Sequence, residues 1–263
     1  MTRLAKLILP ALAAVLPTAS ASAQGGAGSF QSEYSLSVLG LTVARSSFSS
    51  TLKGDRCSVR GSIASAGLAR IFDSTRGTIA ASGRFSGPRP RPESFASDYV
   101  SGRKAQKTEI SFSGGNVART VNVPPLKKRG SDWVPVAPSD LRAVADPISA
   151  TLVRADKPKE ICERRIKMFD GEMRADLVLS YSSTEPVSIA GYQGKAVFCN
   201  ARFVPVAGYR KGHRSIEYLR NRSKIAIAFA PVGTTGIYAP IYATVGTQIG
   251  TVTIRARRFE PID

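Results

Sequence analysis

The sequence predicts a mainly β fold, either a single highly curved antiparallel sheet or an open β-barrel, with a short helical segment near residues 138–152. Two observations lead to this prediction. Runs of alternating apolar and polar residues, roughly ten or more of them, recur along the chain with turn residues between them. Convincing helix signals are confined to the middle of the sequence, so helix can only supplement a sheet of many short strands.

The first 23 residues have the pattern of a secretory signal. Arg3 and Lys6 provide positive charge, residues 7–16 are apolar, and Ala21-Ser22-Ala23 matches a small-residue cleavage site. The apolar run is too short for a stable membrane-spanning helix, which needs about 20 residues. We therefore expect cleavage after Ala23, a periplasmic location, and a single β-rich domain over residues 24–263.

The first half of the remaining chain contains strand patterns separated by glycine. Residues 34–38 alternate apolar and polar side chains, Gly40 interrupts them, and a second run ends at Gly54-Asp55, which predicts an opening hairpin. Residues 67–74 lack alternation and are interpreted as a short helical turn. Further strands are predicted at 57–63 and 78–81 and around 93–102, 107–113 and 116–123.

The middle of the chain has a different character. Residues 124–130 form a basic, proline-containing loop, and a helix is predicted to start near Pro138 with Ser139 as its N-cap. A second helical segment is predicted after Asp146, which would cap it, with Pro147 at the first helical position, where its missing N–H is tolerated. We expect this region to cover or plug one face of the curved sheet.

From Cys162 onward the pattern predicts hairpins almost throughout. Asp170-Gly171 and Gly191 mark turns, and residues 225–230 predict a strand covered on both faces. The other runs interpreted as strands are 162–168, 177–181, 196–199, 241–245 and 250–255.

The chain has three cysteines, Cys57, Cys162 and Cys199. In an oxidising periplasm a disulfide would persist, and one thiol must remain unpaired. We prefer a Cys162–Cys199 bridge between neighbouring strands over either pairing with Cys57. Such a bridge would contribute roughly 4 kcal/mol by the chain-entropy model. Its role is predicted to be structural, because the chain has no Cys-x-x-Cys motif.

The chain is strongly basic, with a formal net charge of +18, and residues 24–263 carry 35 basic and 19 acidic side chains. For an exported protein this charge points to anionic lipid, lipopolysaccharide or cell-wall polymers rather than nucleic acid. The alternative is that the charge only keeps a β-rich surface soluble. Three basic loops could form an anion-attracting rim if they share one end of the sheet, and otherwise are solubility features. Their candidate residues are Arg89, Arg91, Lys127, Lys128, Arg129, Arg210, Lys211 and Arg214.

The sequence contains no recognisable catalytic or metal-binding constellation. His213 is the only histidine, lies among cations in a predicted loop, and has no Gly-x-Ser-x-Gly partner. His213 and Glu217 are four residues apart in a predicted strand or turn and cannot by themselves complete a zinc site. Paired carboxylates of the glycosidase type are available by spacing. These carboxylates are Asp98, Glu109, Asp170, Glu172 and Asp176. The turn explains Asp170 better, however, and solvated strand faces explain Glu172 and Asp176 better. We expect no catalytic residues, no metal and no cofactor.

Several of these segments resemble a large bacterial envelope family, the domain of unknown function 3108. The resemblance rests on residues 34–43, on Asp146-Pro147-Ile148-Ser149-Ala150, on 169–177 and on Cys199 with 205–210, and it covers most of residues 30–260. It implies a periplasmic, mostly antiparallel β protein without known catalytic residues. A Cys162–Cys199 bridge fits that resemblance. No functional residue can be carried over from it.

The preferred interpretation is a non-enzymatic exported envelope protein whose concave face holds an anionic or amphipathic component, as a lipid or lipoprotein carrier does. The alternative is a structural module that binds a cell-wall polymer or a protein partner through its edge strands. A hydrolase ranks third. A carrier requires a continuous apolar concavity, and a helix filling that concavity would argue against it. The oligomeric state is left open.

Overall fold

A computed structural model describes residues 28–67, 75–127 and 129–262. The predicted signal segment, most of the helical turn predicted at 67–74, and Lys128 therefore lie outside the described residues. Strands dominate the described chain. They are β1 Gly28–Val38, β2 Leu41–Lys53, β3 Arg56–Ser65, β4 Arg76–Ser86, β5 Arg89–Ser101, β6 Lys104–Ser113, β7 Asn116–Val123, β8 Trp133–Val134, β9 Val153–Arg154, β10 Arg165–Phe169, β11 Arg174–Ile189, β12 Tyr192–Ala207, β13 Tyr209–Arg210, β14 Ile225–Pro231, β15 Ile237–Thr247 and β16 Gly250–Ile262.

Fourteen of these strands form one antiparallel sheet. Its order is β10-β11-β12-β14-β15-β16-β1-β2-β3-β4-β5-β6-β7, and β9 pairs with β15. The N-terminal strand β1 lies between β2 and the C-terminal strand β16, with Leu36 opposite both Ala44 and Ile254. Strands β8 and β13 form a separate two-stranded ribbon. The mainly antiparallel β fold predicted from the sequence is confirmed.

Register shifts help this sheet to curl. Irregularities interrupt pairing between Leu36 and Ser37, between Ser82 and Gly83, and between Tyr181 and Ser183, among others. A β-bulge bends its strand and increases the local twist, so several bulges in successive strands let a long sheet wrap around an interior.

The sheet does not close into a barrel within the described residues, because its end strands β7 and β10 do not pair with each other. The chain around residues 142–145 lies between them instead. Asn116 of β7 forms a bridge with Arg142, and Ala145 pairs in parallel with Met168 of β10. The side chain of Asn122 adds a bond from Nδ2 to the carbonyl of Gly171 at 3.0 Å. The fold is thus a highly curved sheet that stays open at a seam between β7 and β10. It combines features of both predicted forms, the curved sheet and the open β-barrel.

Helix is limited to four short segments in the described residues. Two are 3₁₀ turns within the predicted helical region, Pro138–Leu141 and Ser149–Thr151. The other two are α1 Pro158–Cys162 and α2 Arg214–Asn221. None of the helices in these ranges is long and apolar enough to cross a membrane.

The two predicted caps had different outcomes. Asp146 holds the start of its segment as expected, because its Oδ1 accepts hydrogen bonds from the backbone N–H groups of Ile148 and Ser149 at 3.0 and 2.9 Å. The 3₁₀ turn itself starts only at Ser149 with Ile148 as its N-cap, so the positions predicted for Asp146 and Pro147 are two residues too early. The N-cap prediction for Ser139 is wrong. The N-cap is Ala137, whose N–H donates to Oδ2 of Asp140 at 2.9 Å, so the carboxylate three residues later ties the turn.

Two strand or turn predictions are also wrong. Cys162 ends helix α1 and strand β10 starts only at Arg165, because Pro158 begins a helical turn that buries Ile161 and Cys162 completely. The strand or turn predicted to hold both His213 and Glu217 is also wrong, because Glu217 lies in helix α2. His213 itself lies in the predicted loop as the N-cap of α2, and its carbonyl accepts the Glu217 N–H at 3.0 Å.

The interior of the curl is filled unevenly. Helix α1 and strand β9 pack against the inner side of β11, β12 and β14, in a cluster that includes Val153, Ile161, Val197 and Phe229. The Cys162–Cys199 disulfide lies in this cluster and joins α1 to β12 across a Cα–Cα distance of 5.4 Å. The predicted cysteine pairing is therefore present, although it links a helix to a strand. Beside this plug the interior remains open.

Candidate ligand-binding cavity

The open part of the interior is a cavity of about 570 Å³. Strands β1–β5 contribute one part of its wall, and β10, β11 and β14–β16 contribute the rest. Apolar side chains predominate because inward-facing positions on these strands carry the hydrophobic half of the period-two pattern. The main apolar contributors are Tyr34, Leu36, Phe48, Val59, Ile79, Met168, Leu177, Phe229, Tyr242 and Ile254.

The polar groups of the wall are few and mostly hydroxyls. Among the described lining residues, Arg45 is the only one with a formal charge. The phenol of Tyr34 donates to the carbonyl of Pro240 at 2.8 Å, and burial raises the pKa of Tyr34 to about 12. That phenol therefore stays neutral and already has a partner. The wall offers little to fix a polar substrate and much to contact a hydrocarbon chain.

The cavity opens at one end of the sheet. Ile63 and Tyr99 both line it and are 38% and 45% exposed. Gly77 on β4 lies between them, paired with Ile63 on β3 and with Tyr99 on β5. A β-carbon added to Gly77 would lie 3.0 Å from Cβ of Tyr99. We call this the mouth end. The tight turns at 39–40, 102–103 and 248–249 belong to it, whereas those at 54–55, 87–88 and 114–115 belong to the far end.

A strap, residues 146–152, forms one wall of the cavity. Ile148, Ala150, Thr151 and Leu152 line the cavity, and the Asp146 carboxylate holds the strap's first turn. The predicted helical segment thus covers part of the interior and does not fill it. A helix filling the concavity would have argued against a carrier, and the strap does not fill it.

One ionisable group of the strap, Asp146, is buried, and a half-buried one, Cys57, lies beside the strap. The side chain of Asp146 is fully buried, its Oδ2 has no hydrogen-bond partner among the described atoms, and burial raises its pKa. Burial raises the pKa of the free Cys57 thiol to about 11, the charge of Asp146 adds to this rise, and Arg154 opposes it. A thiol with so high a pKa stays protonated near neutral pH, so Cys57 is poorly suited to nucleophilic chemistry.

The structure brings two of the three predicted basic loops together. The β8–β13 ribbon pairs Trp133 with Arg210, and Nε of Arg210 lies 3.0 Å from the Asp132 carboxylate. Arg129 forms an ion pair with Glu172 and places its guanidinium carbon 4.3 Å from the centre of the Trp133 ring. Lys127 and Lys211 belong to the same two loops. The loop prediction for Arg214 is wrong, because Arg214 is the first residue of helix α2.

The first loop lies elsewhere. Arg89 and Arg91 start β5 just after the 87–88 turn, at the far end of the sheet. The three loops therefore neither form one rim nor scatter completely. The predicted anion-binding role of their residues stays a prediction.

Sequence reasoning missed a second cavity at the far end. It measures about 630 Å³ and shares Ala150, Leu152 and Ile166 with the apolar cavity, on the other side of the strap. Five cations among the described residues line it. Arg89 and Arg91 were predicted as anion-binding residues, whereas Arg164, Arg165 and Lys167 were not. Two carboxylates, Glu160 and Glu163, also line it. The run Arg164-Arg165-Ile166-Lys167 was the available signal.

Four of the five candidate catalytic carboxylates have structural partners. Oδ1 of Asp170 accepts the N–H groups of Glu172 and Met173 at 2.9 and 2.7 Å, as its predicted turn requires. The solvated position predicted for Asp176 is wrong, because its side chain is buried and pairs with Arg174. Glu109 lies 2.8 Å from Lys107 on the surface. None of these carboxylates, nor His213 or Asp98, lines the apolar cavity. No cluster of three or more metal-ligating side chains occurs in the described ranges.

Comparison with known proteins places the chain in a family without assigning an activity. Curated proteins give no match. Among solved structures, a β-barrel-like protein of the domain of unknown function DUF1849 from Brucella abortus is 8% identical, with a TM-score of 0.49 over 90% of this chain and 98% of that one. A family model described as a protein of unknown function, DUF3108, matches residues 33–257, and the chain belongs to that family.

Proposed function

We propose that this protein is a non-enzymatic periplasmic binder of an amphipathic, anionic envelope lipid or lipoprotein acyl group. The main observation that supports this proposal is the apolar cavity of about 570 Å³, which is open at the mouth end. Its size falls within the roughly 300–1,000 Å³ typical of ligand pockets. An alkyl chain would displace poorly held water from the apolar wall, which is the main favourable contribution to binding.

The head group of such a ligand would remain at the mouth. Arg45 is the only charged residue among the described lining positions. Arg129 and Arg210, which follow strands ending on this side, are ion-paired with Glu172 and Asp132. The exposed Lys127 and Lys211 beside them add positive charge there. An anionic head group would thus meet cations while its chain stays in the cavity.

The proposed compartment rests on the N-terminal pattern and on the cysteines. Residues 1–23 have the composition of a secretory signal, and the Cys162–Cys199 disulfide is of the kind that persists in an oxidising compartment. Cell fractionation followed by intact-mass analysis tests this proposal. A periplasmic protein starting at Gln24 supports it, and an unprocessed cytoplasmic protein contradicts it.

The edge-strand interaction module is less favoured. Its binding surface would be an unpaired strand edge, but the chain around Arg142 and Ala145 bridges parts of the β7 and β10 edges. An enzyme is less favoured still, since four of the five candidate carboxylates are engaged in a turn and in ion pairs.

Native mass spectrometry of the protein, purified from periplasm without detergent and then solvent-extracted, tests the lipid proposal. We expect one co-purifying lipid per chain. Ser97→Phe places a phenyl ring in the cavity and should remove that lipid. Ser94→Phe is the matched control, because Ser94 is exposed on the other face of β5 and bonds Ser82 at 2.7 Å. A ligand-free mass together with no uptake of added lipid would overturn the proposal.

A further inference from the structure

Two neighbouring hairpin tips at the mouth end expose large apolar side chains. Leu39, Leu41 and Ile249 are 71%, 65% and 72% exposed, the highest values among the large hydrophobic residues described. The tips belong to the β1–β2 and β15–β16 hairpins and lie side by side, because β1 pairs with β16. The N–H of Leu39 donates to the carbonyl of Thr251 at 3.3 Å. The Leu39 side chain lies over Gly250, where an added β-carbon would collide with it.

The backbone of the first tip makes its leucine unusual. Leu39 has φ 49° and Gly40 has φ 84°, so both central residues of this two-residue turn are left-handed. Such turns favour Asn-Gly or Asp-Gly, whereas a bulky aliphatic residue with positive φ is a true outlier. The fold would be served better by asparagine, and the exposed leucine contributes nothing to the core. Strain retained at an exposed position points to a role at that surface.

Cations flank the apolar tips. The carbonyl of Lys224 accepts the N–H of Gly246 at 3.0 Å, which sets Lys224 beside the second hairpin. Arg220 and Arg222 precede it at the end of helix α2 and are exposed, as is Arg45 on β2. The cavity opening at Ile63 and Tyr99 lies at the same end of the sheet.

We propose that the mouth end docks on an anionic phospholipid bilayer. Leu39, Leu41 and Ile249 would insert at the boundary between head groups and acyl chains, and the flanking cations would contact the head groups. This orientation turns the cavity mouth towards the lipid. The purpose of docking rests on the proposed function, since a binder of acyl chains must collect or deliver them at a membrane. Docking itself can be measured without bound lipid.

The test is flotation of the mature protein with vesicles of phosphatidylcholine alone or mixed with phosphatidylglycerol. We expect binding to the anionic vesicles that Leu39→Asn and Ile249→Thr each weaken roughly tenfold, since each removes most of an inserted apolar side chain. Leu39→Asn also relieves the turn strain, so its melting temperature should not fall. Ile262→Asn is the control, because Ile262 is 40% exposed at the opposite end of β16, paired with Ser29.

Charge is tested separately. Arg222→Gln with Lys224→Gln should weaken binding to anionic vesicles and reduce its salt dependence, whereas Arg89→Gln with Arg91→Gln, at the far end, should change it little. Equal binding of all variants, or equal binding to neutral vesicles, would overturn the proposal. The proposal would also be overturned if light scattering showed that the protein self-associates and that Leu39→Asn abolishes this self-association. A second copy of the chain, and not a bilayer, would then cover the hairpin tips. Ser97→Phe separates the two proposals, since it should lose the lipid cargo and still dock.

Discussion

Arg174 and Asp176 form an ion pair on β11 in which both side chains are only 5% exposed. Arg174 also donates through Nε to the carbonyl of Asp140 at 2.9 Å and through a terminal nitrogen to the carbonyl of Ala175 at 2.6 Å. Asp176 accepts a second bond from Arg165 at 2.8 Å. The pair therefore ties β11 to the 3₁₀ turn at Pro138–Leu141 and to β10.

Breaking this pair should be costly. We expect Asp176→Asn or Arg174→Leu to lower the free energy of unfolding by about 3–5 kcal/mol, because each leaves its partner buried and uncompensated. Urea denaturation followed by circular dichroism measures this. Glu93→Gln is the control, since its pair with Arg84 is half exposed and should be worth at most about 1 kcal/mol. If Glu93→Gln lowered the free energy of unfolding as much as Asp176→Asn does, the structural role of the buried pair would be contradicted.

The buried Asp146 carboxyl should make stability depend on pH. Burial raises its pKa above the ordinary value of 3.8, so the folded protein holds this proton more tightly than the unfolded chain. The stability due to the protonated form is complete below 3.8 and is lost as pH rises through the folded pKa. Asp146→Asn stays neutral and can still accept both backbone N–H groups of the strap.

We therefore expect the variant to gain stability relative to the natural protein as pH rises from about 4 towards neutrality. Urea titrations of both proteins at a series of pH values measure the difference. A difference that does not change with pH would show that Asp146 does not titrate in this way. Asp146→Ala, which also removes the cap, should be less stable than Asp146→Asn throughout.

The Cys162–Cys199 disulfide should contribute substantially to stability. With a sequence separation of 37 residues, the chain-entropy model gives about 4 kcal/mol for the cross-link. Replacing both cysteines by alanine, or adding reductant to the natural protein, should shift the urea midpoint down by a corresponding amount. Cys57→Ala provides the control, which should keep its sensitivity to reductant. A shift worth less than about 1 kcal/mol would argue against the bridge as a major constraint.

Cys57 should be unreactive while the protein is folded. A pKa of about 11 against an ordinary 9.0 lowers the thiolate fraction at pH 8 roughly 100-fold, and partial burial limits access further. Iodoacetamide labelling followed by mass spectrometry should be slow in buffer and fast in urea. An exposed thiol introduced as Ser94→Cys, in a Cys57→Ser background, should react rapidly under both conditions. Fast labelling of native Cys57 would contradict the raised pKa of this half-buried thiol.

Much of the fold could be predicted from local pattern. Period-two alternation identified strands such as residues 34–38 and 225–230, and the Asp170-Gly171 turn and the Asp146 cap were identified by their residue types. The cysteine pairing was also predicted correctly. These features depend on neighbours in sequence, because strand faces, turns and caps are set by backbone geometry over a few residues.

Local pattern failed where distant packing decides. The alternation from Cys162 to Met168 resembles a strand, yet burial of Ile161 and Cys162 against β11 and β12 favours a helical turn at its start. Helix α2, which begins at Arg214, was missed because a short helix leaves little periodic signal in the sequence.

The sequence by itself determined the class of fold, the family, the disulfide and the strong positive charge. Only the tertiary structure decided that the sheet stays open at a seam, that the strap lines the cavity without filling it, and that the second and third basic loops meet through Trp133 and Arg210. The reason is physical. Strand order, curvature and the pairing of residues far apart in sequence follow from how the whole sheet buries its inner face, and no local pattern records that.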